Sequence, residues 1–581
     1  MQTRNLPRHN PQQVGTGEIL WPFKYPLVPP LLPTPRSWTP CAGTCGAPNR
    51  IAIHSTPLAP QAYRLELSSD GVRIDCADAA GERHARATLA QLVAQGSPCC
   101  VIEDAPAFAF RGVMLDISRC RVPTMAELES LVATLAGWKI NHLELYVEHT
   151  VAYRDHRAAW DGWDPLTHDE IRALDRSCAA HGIRLVANQN TLGHLEQWFA
   201  HPQYAAMAEI APGQPWDFGG IVTKTGPFSL CPSDPRALPF VSGLLDELLP
   251  LFGTAQANIG CDEAYDLGQG RSRELVATHG RAAVYLDWVA SVCAVARRHG
   301  KRPAFWADIA LEHPEALDRL PDDLLCLCWG YEADAPFARW IRQVRAAGRE
   351  AWVCPGSSCW LTWTGRTAER RANLLAAAEQ GLAEGATGYL ATAWGDDGHR
   401  QSWPVTLHAL AEAAHRAWSG TAAYDPRAAW KKTALGPWLD RFGDIDRGLR
   451  LISGKNGGVL RNRSALFADL HKPWRDPAPG AAADFEACAD ALDALADDLP
   501  IYGGQVADEL IHAGRMARLA AEAGWLKRHA PDDQIARRVM REELTALTEE
   551  HRRLWLKRAR PGGLERSCAR YQRVSESLDA G

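Results

Sequence analysis

The 581-residue chain is short of several features that would have settled its class at once. Its 16 cysteines form no Cys-x-x-Cys anywhere, and Cys99–Cys100 and Cys326–Cys328 are too close for an ordinary bridge or a zinc knuckle. A disulfide framework is therefore not expected, and buried free thiols in a reducing compartment are. No uncharged apolar stretch reaches the ~18 residues a membrane span needs; the one at Phe240–Phe252 is interrupted by Asp246 and Glu247. The opening MQTRNLPRHNPQQVG has no apolar core, so no secretory signal is expected and a cytoplasmic location is. Charge of neither sign dominates: 63 Lys and Arg against 69 Asp and Glu leave −6. A nucleic-acid partner, which usually calls for a basic excess, is not expected. No His-x-His or clustered ligand triad ends a strand, so the expected metal and cofactor complement is none.

What is present is tryptophan, 22 residues against 12 Tyr and 13 Phe. Core packing accounts for most of them, but indole faces also stack on the C–H faces of sugar rings. Residues 1–48 are rich in Pro and Gly and read as an extended or disordered leader. Residues 49–104 read as a small α/β domain. Tyr63–Leu67 and Val72–Cys76 alternate like strands about an Asp70–Gly71 turn, and Glu82–Gln95 has helical spacing.

From 105 to 419 the rhythm changes. Eight short apolar runs alternate with helical segments: Phe110–Ser118, Leu143–Glu148, Ile183–Asn190, Ala257–Ala264, Ala304–Ile309, Leu325–Tyr331, Ala351–Pro355 and Tyr389–Asp396. Near-continuous apolar strands between helices imply a parallel sheet covered on both faces. Eight of them predict a closed α/β (β/α)8 TIM barrel. Gly193–Thr225, with Trp198, Trp216 and Phe218, is a candidate lid. Residues 420–581 carry helical periodicity, as in Val506–Leu526 and Ile535–Leu556, with a Pro/Gly/Ala linker at Pro473–Ala482.

The runs share an ending. Glu148–His149, Asn188–Gln189–Asn190, Asp262–Glu263, Trp306-x-Asp308, Trp329-x-Tyr331 and Trp394-x-Asp396 close six of them. Barrel sites form at C-terminal strand ends, so these residues should ring one mouth. Asp262–Glu263 alone reads as readily as a helix cap. At a barrel mouth it reads as a pair with divided work, one carboxyl a proton donor and the other an ionised positioner. Strand alternation would turn the two to opposite faces. Glycosidases ordinarily use two separated carboxyl groups, and Glu148, Asp308 or Asp396 could be the second.

Taken together, these motifs resemble glycoside hydrolase family 20, the β-N-acetylhexosaminidases, in a divergent branch. Phe110-Arg111-Gly112-Val113-Met114-Leu115-Asp116 is similar to that family's first barrel strand. Ile259-Gly260-Cys261-Asp262-Glu263 resembles its Asp–Glu signature, Gly193–His194 the Gly–His after its third strand, and Trp394-Gly395-Asp396 its last Trp-x-acid motif. The resemblance spans about residues 49–415. It implies exo-acting, substrate-assisted retaining hydrolysis of a terminal β-linked N-acetylhexosamine, an exception to the two-carboxylate scheme. Glu263 would be the general acid/base and Asp262 would orient the 2-acetamido group. Arg111 and Asp396 would bind sugar hydroxyls, and His194 would sit behind Glu263. Trp306, Trp329, Trp394 and, more weakly, Trp360 would wall a cup for the acetamido methyl. Two departures stand out. Glu148–His149 ends the second strand where the family has a His-rich, Asp-containing pattern. No Tyr occurs in Cys354–Trp360, so Tyr331 or Tyr265 would have to serve the acetamido carbonyl.

Two alternatives remain open on the sequence: a retaining β-glycosidase with Glu148 or Asp396 as its own nucleophile, and a non-catalytic sugar-binding protein. The expected partner is an amino-sugar glycoside. Leu554–Leu564 reads as a helix cap that could also reach a barrel mouth, its own or that of a second copy in a homodimer.

Overall fold

The computed structural model describes residues 30–44, 50–449, 452–453, 458–459, 461–477 and 479–580. Its centre is a closed barrel of eight parallel strands: β1 Phe110–Asp116, β2 His142–Val147, β3 Arg184–Gln189, β4 Gln256–Asn258, β5 Arg302–Trp306, β6 Leu325–Gly330, β7 Glu350–Pro355 and β8 Gly388–Ala393. β8 pairs with β1 in register from Gly388–Phe110 to Ala393–Leu115, which closes the ring. All eight predicted runs are barrel strands. Two of the helices between them start at side-chain caps. Thr124 accepts from Glu127 N ahead of Met125–Gly137, and Thr167 and Glu170 form a capping box ahead of His168–Ala180.

The interior is not filled with branched apolar residues throughout. Glu144 of β2 accepts from Asn188 of β3 (2.8 Å) and Asn258 of β4 (2.9 Å), and its other oxygen meets His142 at 2.7 Å. Burying this carboxylate is tolerable because every oxygen has a partner.

The small N-terminal domain is a five-stranded sheet in the order Ser37–Thr44, Pro98–Asp104, Tyr63–Ser68, Gly71–Cys76, Ile51–Ser55, with helix Ala79–Ala94 against it. The edge strand Ser37–Thr44 comes from the segment read as a leader. Its backbone pairs with Pro98–Asp104, so the domain begins before residue 49. Leu31 and Leu32, also from that segment, are buried; residues 1–29 and 45–48 fall outside the described residues. This sheet docks at the base of the barrel through Asp104, which takes bonds from Tyr63, Lys139 and Trp418.

Beyond helix Trp403–Ser419 the chain is mainly helical, with the long helices Ala482–Asp497, Gln505–His529, Gln534–Trp555 and Leu564–Ala580. Among the described residues, no helix is long and apolar enough to cross a membrane.

Candidate active site

The carboxyl pair sits on a strained turn. β4 ends at Asn258, four residues before Asp262, and the chain then turns left-handed: φ is 69° at Gly260, 71° at Cys261 and 53° at Glu263. Non-glycine residues in that region cost about 1–3 kcal/mol each and persist only where surroundings hold them. Here each peptide is held. Gly260 N donates to Asn258 Oδ1, Cys261 N to Asn190 Oδ1, Tyr285 OH to Cys261 O and Glu263 N to Asp308 Oδ2. The expected alternation across a continuing strand is therefore corrected. Because the strand has ended, both carboxyls turn to one place, and His194 Nε2 lies 3.2 Å from Asp262 Oδ2 and 3.2 Å from Glu263 Oε2.

The surroundings divide the pair. Asp262 is buried, and Asn190 Nδ2 donates to its Oδ1 at 2.7 Å. Burial alone would raise its pKa; the charge and contact of His194 outweigh this and hold it below the usual carboxylate range. For His194 burial acts downward, but the Asp262 and Glu263 carboxylates push it well above its ordinary value. Glu263 keeps a quarter of its side chain (26%) open to solvent, so the more accessible carboxyl is the one a leaving group could reach. Behind it, burial and then the Asp262 charge hold the Asp308 carboxyl far above its usual range.

Arg111 is corrected. It lies at the start of β1, at the end of the barrel away from the mouth, and is fully buried. Its guanidinium bonds the carbonyls of Phe108, Ala109 and Lys139, Gln61 Oε1 and His84 Nε2, and stacks over Trp418. It fastens the barrel to the N-terminal domain and cannot bind sugar. The cation at the mouth is Arg119, which the sequence reading passed over. It lies in the loop after β1, reaches Glu148 (3.1 Å) and Asp116 (3.3 Å), and points Nη2 at His194 Nδ1 (3.2 Å). Its guanidinium also lies over the rings of Tyr146 and Trp394. The available signal was Asp116-Ile117-Ser118-Arg119, an arginine just past a strand end.

Glu148 is buried against Arg119 and the Tyr146 hydroxyl (3.0 Å); burial raises its pKa to about 7 despite the Arg119 charge. Asp396, at φ 38°, is raised to about 6 by burial, with Arg119 pulling the other way. His149 is the other residue the structure moves away. It packs edge-on against Trp163 at 4.2 Å, and burial drops its pKa to about 3. Both ring nitrogens are buried without a partner, so the ring serves packing.

The aromatic side chains at the strand ends lie together. Trp306 and Trp394 lie 6.1 Å apart, Trp329 stacks on Tyr331 at 5.1 Å, and Trp360 meets Tyr331 edge-on at 5.1 Å. Trp394 Nε1 donates to Tyr331 OH at 2.7 Å, which leaves that hydroxyl's proton for another acceptor. Tyr265 instead meets Phe218 edge-on at 5.0 Å, in the hairpin Pro215–Phe218/Val222–Thr225. A cavity of about 670 Å³ opens at the other end of the strands, between Phe110, Arg184, Arg302 and Trp352, and holds none of these groups. Among the described residues, no group of three or more His, Cys, Asp or Glu is placed to hold a metal.

Fold and site together define a (β/α)8 barrel whose mouth presents an adjacent carboxyl pair beside an aromatic cup. Residues 108–380 match the catalytic domain of glycosyl hydrolase family 20. It is 26% identical to a beta-hexosaminidase of Akkermansia muciniphila over 292 residues, covering 44% of this chain and 58% of the relative. It is 27% identical to a beta-N-acetylhexosaminidase of Cellulomonas fimi over 342 residues, covering 54% and 63%. The chain thus spans about three fifths of the length of these curated relatives. In fold it is similar to a beta-N-acetylhexosaminidase from Bacteroides fragilis (TM-score 0.55, 16% identity, 71% of this chain and 96% of that one). It is also similar to the chitobiase of Flavobacterium johnsoniae (TM-score 0.54, 17% identity, 90% and 99%).

Proposed function

We propose that the protein is an exo-acting glycoside hydrolase that removes terminal β-linked N-acetylhexosamine with the substrate's own acetamido oxygen as nucleophile. The observation that carries this reading is the convergence of Asp262 and Glu263 on His194. Glu148 and Asp396, the two candidate protein nucleophiles, are both buried, compensated by Arg119 and raised toward neutrality, which weakens them as nucleophiles near pH 6–7.

In this reading Glu263 gives its proton to the glycosidic oxygen as the C1–O bond breaks. The acetamido oxygen closes on C1, and ionised Asp262 takes the amide N–H and steadies the oxazolinium charge. Tyr331 donates to the acetamido oxygen, and Trp306, Trp329, Trp394 and Trp360 exclude water around the methyl. Water then opens the ring as Glu263 takes a proton back. Arg119 and Asp396 take sugar hydroxyls. The names of the relatives from Akkermansia muciniphila and Cellulomonas fimi, a beta-hexosaminidase and a beta-N-acetylhexosaminidase, support this reading.

The test is a nitrophenyl glycoside panel. The N-acetyl-β-glucosaminide or galactosaminide should be cleaved and the plain glucoside should not. Glu263→Gln should lower kcat by about 10²–10⁴, the usual contribution of a general acid. A thiazoline mimic of the cyclic intermediate should inhibit. Full activity in Glu263→Gln, or equal cleavage of the plain glucoside, would refute the reading.

A further inference from the structure

The loops after β1 and β8 meet the helical domain around a small cavity of about 40 Å³. Arg121 enters from the first loop and Arg400 and Ser402 from the second. His512, His551 and Arg558 come from the helices opposite. Three guanidinium groups and two imidazoles share one space, and Glu509 is the only carboxylate among the residues lining it.

The charges do not cancel. Arg558 takes Glu509 and, at 2.9 Å, Glu127. Arg400 takes Asp397 at 3.0 Å. Arg121 has no carboxylate within ion-pair reach among the described residues. One of its Nη atoms donates to Gln401 O at 3.2 Å; Nη2 is buried without a partner. The Trp403 and Trp555 rings flank it at 5.7 and 5.9 Å. Ser402 Oγ is buried without a partner too, and His512 has only Glu550, 3.8 Å from Nδ1. Arg121 is only 9% exposed. An arginine stays protonated at any working pH, and burying it without a counter-charge is costly. Burial brings its pKa down to about 10, which leaves the charge in place.

We propose that this cavity binds one small inorganic anion, a chloride in size and charge, against Arg121, Ser402 and His512. The unpartnered donors, Arg121 Nη2 and Ser402 Oγ, fit an anion, and the one lining carboxylate, Glu509, is already taken by Arg558. The volume admits a small ion, since a cavity of about 10–15 Å³ already holds one water. Position gives the ion a role. Arg121 follows Arg119 by two residues, and Ser402 lies on the loop that begins with Asp396. The anion ties the helical domain to the two loops that present charged groups at the barrel mouth. The inference rests on the packing of those loops and is independent of the substrate reading.

Thermal unfolding of the full chain tests it, with sodium chloride replacing sodium gluconate at constant ionic strength. Tm should rise saturably with chloride, by about 2 °C at a tenfold excess over Kd, and Arg121→Gln should abolish the difference between the two salts. If that variant does not fold, crystals of the wild-type chain grown in bromide carry the test, with an anomalous peak expected beside Arg121 and Ser402. Equal Tm in both salts overturns the proposal, as does a cavity holding only water in bromide-grown crystals.

Discussion

At Arg119 three demands meet on one guanidinium. It neutralises Glu148, braces Asp116 and occupies the Nδ1 side of His194, so the imidazole's other nitrogen faces Asp262 and Glu263. Arg111, eight positions earlier, spends its donors on carbonyls between two domains. The two should separate cleanly on substitution. Arg119→Met should lower kcat/KM by about 10²–10³, the scale of losing one aimed donor. Arg111→Met should leave KM unchanged but cost about 3 kcal/mol of stability by orphaning buried carbonyls, read by urea unfolding. Glu148 adds a pH signature. Its folded pKa, about 7, lies above the ordinary glutamate value of about 4.3. The folded state therefore binds more protons between those values, and this group's contribution to stability is lost as pH rises through the window. The stability of Glu148→Gln relative to wild type should accordingly increase from pH 4.5 to 7; a flat difference would show that Glu148 does not titrate there. Most of the site was legible at this scale, because carboxyls and indoles at strand ends announce themselves. The arginine was not, because Arg111 and Arg119 flank the same strand and only the fold shows which end faces the mouth.

Among the elements, β4 departs most from its sequence. Ala257–Ala264 reads as one apolar run into two acids, yet the regular strand ends at Asn258, and after two more backbone bonds to β5, Ile259 N to Ala304 O and Trp306 N to Gly260 O, the chain leaves the sheet. Apolar content reports burial and cannot report φ, so the left-handed turn was invisible apart from Gly260. That glycine is required. A Cβ there would meet Asn190 Oδ1 at 2.6 Å and Asn190 Cα at 2.7 Å, displacing the side chain that holds Asp262. Gly260→Ala should lower kcat at least tenfold by misplacing Asp262, a loss of about 1.4 kcal/mol or more, and should lower Tm as well. A variant with normal kcat would mean that Asn190 does not position the acid. The polar barrel interior was likewise hidden. Glu144, Asn188 and Asn258 satisfy one another inside, and a pattern of apolar against polar residues reads each as a defect in its strand. The eight-strand count survived because helices and turns flanked every run.

For the molecule as a whole, the sequence left the helical domain without a task, and the structure places it against the loops at the barrel mouth. Ser567 Oγ donates to Gly398 O, and Arg570 pairs with Asp397, the neighbour of Asp396. The Pro561-Gly562-Gly563 turn sits on the loops after β1 and β2, so the Leu554–Leu564 segment reaches its own barrel. A Cβ at Gly563 would come within 1.9 Å of Cys120 O, on the residue that follows Arg119. Gly563→Ala should push the Ser118–Pro123 loop off its seat. Loss of hydrogen-exchange protection there, with kcat/KM down about tenfold, is the expected result. The substitution also strains the backbone, since φ is 77° at Gly563. Gly503→Ala supplies the control. Its φ is 72° and a Cβ there would meet nothing within 4 Å, so it should carry only the backbone cost, about 1 kcal/mol, with kcat/KM unchanged. If both variants lose stability equally and neither changes kcat/KM, the helical domain stabilises the chain without positioning Arg119. If only Gly563→Ala impairs turnover, the mouth is built jointly by the barrel and the helices that cover its rim.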